Sequence, residues 1–188
     1  MIPVRDEIKA HRTPYVNYIL ILINVLVFVY QFMNMQRIDG IFAEFALIPR
    51  EVTSGLDLGD ARDMLTSMFM HGGWVHLLSN MLYLWIFGDN VEDRLGHLGY
   101  LIFYLAGGAA AAATHILLNP ASQVPMVGAS GAIAAVLGAY LIFYPNARVY
   151  TFIPIGFFAR VRMVPAVVVL GLWFLLQLFS GFMSLDEG

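Results

Sequence analysis

Residues 127–144 read VGASGAIAAVLGAYLIFY, an apolar stretch that ends at Pro145. Lipid offers the backbone no hydrogen-bond partners, so only helices and closed barrels span membranes, and the alternation of a barrel strand is absent here. The stretch therefore predicts a membrane-spanning helix. Its small residues recur at helical spacing, and such faces let membrane helices approach one another closely. We expect this helix to lie in the middle of a bundle.

The whole chain has the composition of a membrane protein. Of its 188 residues, 60% are hydrophobic and 12% are charged, whereas soluble domains have about 25% charged residues. A spanning helix needs about 20 apolar residues, and four further stretches qualify: residues 15–33, about 65–87, 98–118 and 164–183. The second of these is interrupted near its start by residues 71–73 (HGG). The sequence therefore predicts an all-α membrane protein, a single domain over residues 1–188 with five spanning helices. The chain has no cysteine and a net charge of −3, which excludes a disulfide framework and gives no sign of a nucleic-acid partner.

The distribution of basic residues predicts the orientation, because Lys and Arg collect on the cytoplasmic side. If the five spans alternate, most basic residues fall on the side of the N-terminus: Arg5, Lys9, Arg12, Arg94, Arg148, Arg160 and Arg162. The other side holds only Arg37, Arg50 and Arg62, outnumbered by acidic residues. We expect a cytoplasmic N-terminus, with residue 127 near the outer face of what we take to be a bacterial inner (plasma) membrane.

The loop between the first and second spans, residues 34–64, contains an apolar segment at residues 41–48 that is too short to cross a bilayer. An amphipathic segment of this kind can be a partly buried loop helix. It can equally be a membrane-embedded hairpin that lies in the interface. The sequence leaves both interpretations open.

Ser130 opens the helix of residues 127–144. A helix N-terminus offers free N–H groups and a positive dipole end, which can stabilise an oxyanion on a carbonyl that the serine attacks. A serine at this place is also a common N-cap.

His76 and Asn80 share one face of the second span and are expected to point into the bundle. They can serve as oxyanion donors or as an interhelical polar clamp. The topology puts all three residues at a similar depth below the outer surface.

Three segments together resemble the rhomboid family of intramembrane serine proteases. They are residues 69–80 (FMHGGWVHLLSN), 87–96 (FGDNVEDRLG) and 127–132 (VGASGA), in the order and spacing of that family. The resemblance extends from residue 45 to residue 173. It implies a rhomboid-like bundle of six transmembrane helices, of which five are present in this chain, and a reaction that needs no cofactor and no metal.

The resemblance also implies roles for the site residues. Ser130 corresponds to the nucleophile, His76 and Asn80 to the side chains of the oxyanion hole, and Gly128 to the position that gives the substrate backbone room. The implied activity is that of a serine endopeptidase that cleaves transmembrane protein substrates within the lipid bilayer through an acyl-enzyme.

The resemblance has one large gap, the general base. In the family this is a histidine on the sixth span, in a pattern such as G-x-x-x-A-H-x-x-G, which this sequence lacks. Residues 184–188 read as a loop after the fifth span, so we expect the chain to lack the last helix and to be inactive alone. His115 is the only other histidine that the predicted topology allows near Ser130, and an interface or interhelical role suits it better.

By the same resemblance, Glu92 and Arg94 form a structural pair at the cytoplasmic end of the second span. Three apolar side chains of the fifth span, Phe174, Leu178 and Phe179, could form a gate against the second span, or could simply face lipid.

Two other functions compete with proteolysis. A rhomboid-like pseudoprotease would bind transmembrane segments without cutting them, but it would not need Ser130, His76 and Asn80 together. A transporter or channel subunit would carry ionisable residues near mid-membrane, and the predicted spans have no Asp, Glu, Lys or Arg near their centres.

Overall fold

A computed structural model of the chain describes residues 1–55, 57–155 and 158–183. The elements in these ranges are β1 Ile2–Asp6, α1 Tyr15–Met33, α2 Ile38–Phe45, α3 Pro49–Ser54, α4 Leu58–Ser67, α5 Trp74–Leu118, α6 Ser130–Phe143, β2 Arg148–Ile155, β3 Phe158–Pro165 and α7 Ala166–Met183. The predicted helical fold is confirmed in outline. Helices α1 and α5 are long and apolar enough to cross a membrane, whereas α6 and the apolar part of α7 are shorter. The count of five spans stays a prediction, and residues 184–188 lie outside the described ranges.

The first span has its predicted bounds, but the second does not. Residues 58–67 form the separate helix α4, and α5 begins at Trp74. Between them, residues 71–73 (HGG) interrupt the helix, and the N-cap of α5 is Gly73 in an extended conformation. The helix is interrupted where the sequence predicts, but the residues before the interruption belong to a separate helix, so the predicted start of the span at residue 65 is wrong.

Helix α5 is two antiparallel arms, residues 74–95 and 97–118, joined at Gly96. Gly96 has φ 71° and ψ 165°, outside the helical region, and glycine adopts positive φ without the steric cost of a side chain. Asn17 of α1 contacts both arms: its amide donates to the Leu84 carbonyl (3.0 Å), and its oxygen accepts from the Tyr100 hydroxyl (2.8 Å). A straight helix would separate residues 84 and 100 by about 24 Å, so the chain reverses at Gly96.

Glu92 ties the start of α1 to the reversal. It is 1% exposed and accepts hydrogen bonds from the N–H groups of Val16 (3.0 Å) and Asn17 (2.7 Å). His97 Nδ1 lies 2.5 Å from the same carboxylate. Helix N-termini favour negative charge because their first N–H groups are unpaired. Glu92 thus has the predicted structural role, but within the described residues its ion pair is with His97 and not with Arg94. The Arg94 guanidinium lies over the Phe143 ring, 5.4 Å from its centre.

Helix α6 lies in the centre of the bundle, as its small residues predict. Its most buried side chains include Ile133, Val136 and Leu137, each 0% exposed. A side chain at Gly131 would come within 2.5 Å of the Ala111 methyl on the second arm of α5, and one at Gly107 would overlap Ala135. These contacts let the second arm and α6 approach closely.

The loop after α1 is a series of short helices. In α2, Ile41 is buried and packs in one apolar cluster with Ala46 and Met70. The segment is thus a partly buried helix, and whether it is also embedded in the membrane interface stays a prediction.

A three-stranded antiparallel sheet, in the order β1-β2-β3, corrects the all-α prediction. Strands β2 and β3 form a hairpin over residues 148–165, and β1 pairs with β2 with an irregularity between Pro3 and Arg5. The sheet lies where α1 and α7 begin and α6 ends.

Asp6 attaches β1 to the helices. Its carboxylate accepts hydrogen bonds from the Asn90 amide (2.9 Å) and the Tyr140 hydroxyl (2.6 Å). The pKa of the Asp6 carboxyl is raised to about 6, mainly by burial and to a smaller extent by nearby Asp89, against the opposing effect of the Tyr140 hydrogen bond. The folded state therefore binds this proton more tightly than the unfolded chain.

We expect the attachment of β1 to strengthen as pH falls from about 7 to about 5, because a raised carboxyl pKa makes the folded state more stable as the group protonates. The protection of β1 amides against hydrogen exchange, corrected for intrinsic rates, should rise about tenfold, as for one pKa unit. The Asp6→Asn variant should lose this dependence. If the variant kept the full pH dependence, Asp6 would not be its source.

Candidate active site

Ser130 is the first residue of α6, and its hydroxyl does not cap the helix. The N-cap residue is Ala129, which has near-helical angles (φ −71°, ψ −6°) and no side-chain capping hydrogen bond. The N-cap interpretation of Ser130 is therefore wrong. A partly exposed hydroxyl stands at a helix N-terminus without a capping role.

Gly128 brings Ser130 next to His76. Its φ is 125°, a conformation that residues with a side chain rarely adopt. A Cβ atom at Gly128 would lie 2.7 Å from both Cε1 and Nε2 of His76 and 3.8 Å from the Ser130 hydroxyl oxygen. The imidazole thus occupies the space that the missing side chain leaves, and the serine hydroxyl borders the same space.

Backbone hydrogen bonds fix the segment before α6 to the rest of the fold. The Gly128 N–H donates to the Ser67 carbonyl at the end of α4 (2.9 Å), and the Met126 N–H donates to the Leu47 carbonyl (2.8 Å). The loop helices therefore help to set where Ser130 lies.

His76 and Asn80 have different surroundings on α5. His76 is half-buried and lines the same cavity as Ser130. Asn80 is 1% exposed, is not part of the cavity wall, and holds its amide nitrogen 3.1 Å from His71 Nε2. The structure thus brings together Ser130, Gly128 and His76, and it places Asn80 one helical turn away behind them.

His71 lies next to the site, although the sequence pattern did not predict it there. It is 1% exposed, and its ring packs edge-on against the His76 ring, with centroids 5.0 Å apart. The Gln31 side chain of α1 holds its backbone, accepting from the His71 N–H (3.1 Å) and donating to the His71 carbonyl (3.2 Å). The contact of His71 with His76 could not be predicted from the sequence, because His71 lies in the loop just before α5 and only the folded chain shows that it is buried.

A cavity of about 610 Å³ opens beside Ser130. Its walls come from the end of α4, both arms of α5, the start of α6, α7 and the loop of residues 122–128. Small residues form much of the wall: Gly108, Ala111, Ala112, Gly131, Ala132 and Ala134. The cavity is within the usual size of ligand sites and exposes Ser130 and His76 to whatever fills it.

The other residues singled out from the sequence divide between the cavity and the surface. His115 lies on the cavity wall, as do Phe174 and Leu178 of α7. Phe179 is 65% exposed and does not line the cavity. A gate between these residues and the second span stays a prediction, as does the alternative that they face lipid.

The arrangement suits nucleophilic chemistry at a carbonyl. The first N–H groups of a helix have no partner within the helix, so the start of α6 offers backbone donors beside the Ser130 hydroxyl. The His76 ring adds a side chain that can donate to an oxygen on the cavity side. Donors set in advance around a developing oxyanion lower the barrier to acyl transfer.

Comparisons with known proteins agree with this geometry. A family model described as the Rhomboid domain matches residues 59–187, more than half of the chain.

Curated relatives point to the same family. The chain is similar to Rhomboid protein 1, mitochondrial, of Saccharomyces cerevisiae, with 30% identity over 157 residues that cover 81% of the chain and 43% of that protein. It is similar to the Putative rhomboid protease YdcA of Bacillus subtilis, with 31% identity over 103 residues (53% of the chain, 51% of the relative). Rhomboid protease GluP of the same organism is 40% identical over 78 residues (42% of the chain, 15% of the relative). The chain spans about half the length of these relatives or less, and it belongs to the rhomboid family of membrane proteins.

Proposed function

We propose that the protein containing this chain is an intramembrane serine endopeptidase that cleaves transmembrane segments of membrane proteins. One observation carries the proposal. The Ser130 hydroxyl stands at the N-terminus of α6, caps nothing, and shares an open cavity with His76 and Gly128.

The proposed reaction is acyl transfer to Ser130. The serine oxygen attacks the scissile carbonyl carbon, the carbonyl electron pair moves to its oxygen, and the hydroxyl proton passes to a base. The oxyanion is stabilised by the first N–H groups of α6 and by the His76 ring. Collapse of the tetrahedral intermediate breaks the C–N bond and leaves an acyl-enzyme, which water then hydrolyses.

Asn80 is proposed as a further donor to the oxyanion. A carboxamide has two N–H donors, so the contact of its nitrogen with His71 occupies one and leaves the second. A side-chain oxyanion donor contributes about 10²–10³ to the rate in a serine protease.

The general base is proposed to come from residues outside the 188 of this chain. A serine needs an adjacent base to become a good nucleophile. Of the five histidines, His11 lies beside Asp93 and His97 contacts Glu92, both near the start of α1 and far from Ser130. His71 and His76 belong to the proposed oxyanion side of the site. His115 shares the cavity but is kept as a wall residue in this proposal.

The proposed substrate reaches the site from the lipid bilayer as a transmembrane helix that unwinds near the outer surface. Two helices support this geometry. The first turn of α1 is bound to Glu92 near the sheet, and its last turn contacts His71 through Gln31. Helix α6 starts at Ser130, and Tyr140 near its end contacts Asp6 of β1. The site and the basic sheet therefore lie at opposite ends of the bundle, in keeping with a cytoplasmic N-terminus in a bacterial inner (plasma) membrane.

A pseudoprotease that binds transmembrane clients without cleavage is the alternative. One observation favours it: Asn80 lies outside the cavity wall with its amide against His71. An oxyanion donor of an active enzyme would face the cavity at least during the reaction.

Proteolysis is tested with the protein expressed from its complete reading frame and with the isolated 188-residue chain. We expect the complete protein to be labelled at Ser130 by a fluorophosphonate probe and to cut a transmembrane reporter, because it supplies the base. The isolated chain should do neither above background. Mass spectrometry of the labelled peptide and gel analysis of the reporter give the two readouts.

Each other outcome has a definite meaning. A complete protein that binds the reporter but neither labels nor cuts is the pseudoprotease. Turnover by the isolated chain that His115→Ala abolishes would make His115 the base and contradict its proposed origin outside the chain.

A further inference from the structure

Helix α1 takes no part in the proposed chemistry, yet its buried face carries three side-chain amides at seven-residue intervals, Asn17, Asn24 and Gln31. Seven residues make about two helical turns, so the three amides lie in one row. All three side chains are at most 2% exposed. A polar group inside a membrane has to find its hydrogen-bond partners within the protein. The partner of the last amide is the segment beside the proposed site.

Gln31 holds the backbone of His71 at two points. Its side-chain oxygen accepts from the His71 N–H (3.1 Å), and its amide donates to the His71 carbonyl (3.2 Å). Within the described ranges, these two are the backbone hydrogen bonds of His71. The next two residues are glycines, which impose little conformational preference of their own. The position of His71 therefore depends on Gln31.

The end of α1 also packs against the start of α5. The Phe28 and Phe32 rings lie edge-on to Trp74, the first residue of α5, with centroids 4.8 and 5.4 Å from that of Trp74. Aromatic pairs of this geometry contribute beyond the area that they bury. One helix end thus holds the loop before α5 at both His71 and Trp74.

His71 in turn fixes the Asn80 side chain. The Asn80 amide nitrogen lies 3.1 Å from His71 Nε2. A carboxamide nitrogen can only donate, so an Asn80 N–H donates to the ring nitrogen. The two N–H bonds of a carboxamide lie in one plane, and the direction of the second is therefore set by the first. That second N–H is the one proposed above as a donor to the oxyanion.

We propose that Gln31 is a positioning residue of the active site, which acts through His71 to direct the Asn80 amide toward the oxyanion. The inference rests on the proposed protease function and gives α1 a part in it. Gln31 is not part of the wall of the cavity beside Ser130, so its effect has to pass through His71. Loss of its two bonds would let His71 shift, and a displacement of about 1 Å in an active site can cost about 10²-fold in rate.

The first test is a double-mutant cycle in the complete protein. Gln31→Met keeps the shape of the side chain and removes both hydrogen bonds to His71. We expect it to lower kcat/KM for reporter cleavage by about 10-fold or more, mainly through kcat, because an oxyanion donor acts in the transition state. In the Asn80→Ala background the same substitution should cost no more than about twofold, since residues of one network are not additive.

The Gln31→Glu variant adds a pH-dependent rescue. A protonated carboxyl group can accept from the His71 N–H and donate to the His71 carbonyl, whereas a carboxylate can only accept. The ratio of its kcat/KM to that of the wild type should therefore rise as pH falls. Taking the ratio removes the titration of the site histidines, which both proteins share. If Gln31→Met does not fold, this variant decides alone, and a ratio independent of pH contradicts the proposal.

Asn24→Leu is the matched control, because it replaces a buried amide on the same face of α1 by an apolar side chain of similar shape. The Asn24 amide donates to the Leu20 carbonyl of its own helix (2.7 Å). We expect unchanged kcat/KM in both Asn80 backgrounds. The side-chain amide signals of Asn80 in nitrogen–proton NMR spectra, identified by their loss in Asn80→Ala, give a readout without activity. They should shift in Gln31→Met and stay in place in Asn24→Leu.

Three results would overturn the proposal: an equal loss of kcat/KM from Gln31→Met in both Asn80 backgrounds, activity of Gln31→Met at or above that of the wild type, or Asn80 signals that do not move. The second would mean that His71 holds Asn80 away from the oxyanion. A complete protein that neither labels with fluorophosphonate nor cuts the reporter would contradict the proposed protease function instead. In that protein the Asn80 signals would still decide whether Gln31 positions Asn80.

Discussion

Replacement of Ser130 by alanine should abolish fluorophosphonate labelling of the complete protein and lower reporter cleavage by at least about 10³-fold. Loss of the nucleophile removes the covalent path, and what remains is binding and oxyanion stabilisation, which in a serine protease is several powers of ten slower. The fold should be unchanged, because the hydroxyl caps no backbone group at the start of α6. Thermal unfolding of the variant in detergent should therefore match that of the wild type.

Ser67→Ala is the matched control for this variant. Ser67 lines the same cavity, but its hydroxyl is bonded to the Met64 carbonyl at 3.1 Å. We expect this variant to keep probe labelling and most of the cleavage. A Ser130→Ala protein that still cut the reporter at more than a trace would remove Ser130 from the mechanism, and a Ser67→Ala protein without labelling would move the nucleophile there.

Replacement of Gly128 by alanine should lower cleavage by about 10²-fold or more with a smaller effect on stability. The new methyl group would lie 2.7 Å from two ring atoms of His76, and the φ of 125° is unfavourable for any residue with a side chain. Backbone strain of this kind costs about 1–3 kcal/mol. The His76 ring must move, and a misplaced oxyanion donor costs about 10²–10³ in rate. The ratio of kcat/KM values for reporter cleavage measures the effect.

Gly138→Ala serves as the control for Gly128→Ala. Gly138 lies within α6, the helix that follows Gly128, and a Cβ there meets nothing within 4 Å. Alanine is the better helix former by about 1 kcal/mol, so activity should be kept and stability should rise slightly. Equal loss of activity in both variants would show that α6 tolerates no added methyl group and would contradict the specific role of Gly128 beside His76.

The sequence predicted the helices of this protein well where composition alone determines them. Residues 15–33 form a helix with the predicted bounds because no breaker interrupts an apolar stretch of spanning length. The central place of α6 followed from its small residues, since these have only one structural advantage in a membrane, close packing. Two glycines in residues 71–73 predict the interruption. Which residues on either side of it belong to the spanning helix depends on packing, and the sequence does not show this.

The sheet was not predicted because hydropathy is the strongest signal in a membrane protein sequence, and it indicates spanning helices. Strand β1 is five residues long and pairs with a hairpin more than a hundred residues away, and local sequence carries no signal for such pairing. The alternation of arginine with apolar residues along 160–163 is a strand pattern, and it was assigned only to membrane orientation.

The site was predicted in its residue types but only partly in its contacts. Ser130, Gly128 and His76 meet as the matching depth of the two helices suggests. The role of His71 depends on the Gln31 side chain of another helix, a long-range contact that no local pattern encodes. The predicted partner of Glu92 was wrong for the same reason. Charge indicated Arg94, whereas the Glu92 carboxylate binds the unpaired backbone N–H groups at the start of α1.

Glu92 has a consequence for how the protein is made. The ribosome synthesises it 76 residues after Val16, so α1 enters the bilayer before its first N–H groups have their carboxylate partner. During that interval those groups depend on water and headgroups at the membrane surface. We therefore expect the start of α1 to remain at the membrane surface until α5 has been synthesised. Because Glu92 is in α5, the final position of α1 is set only when α5 is in place.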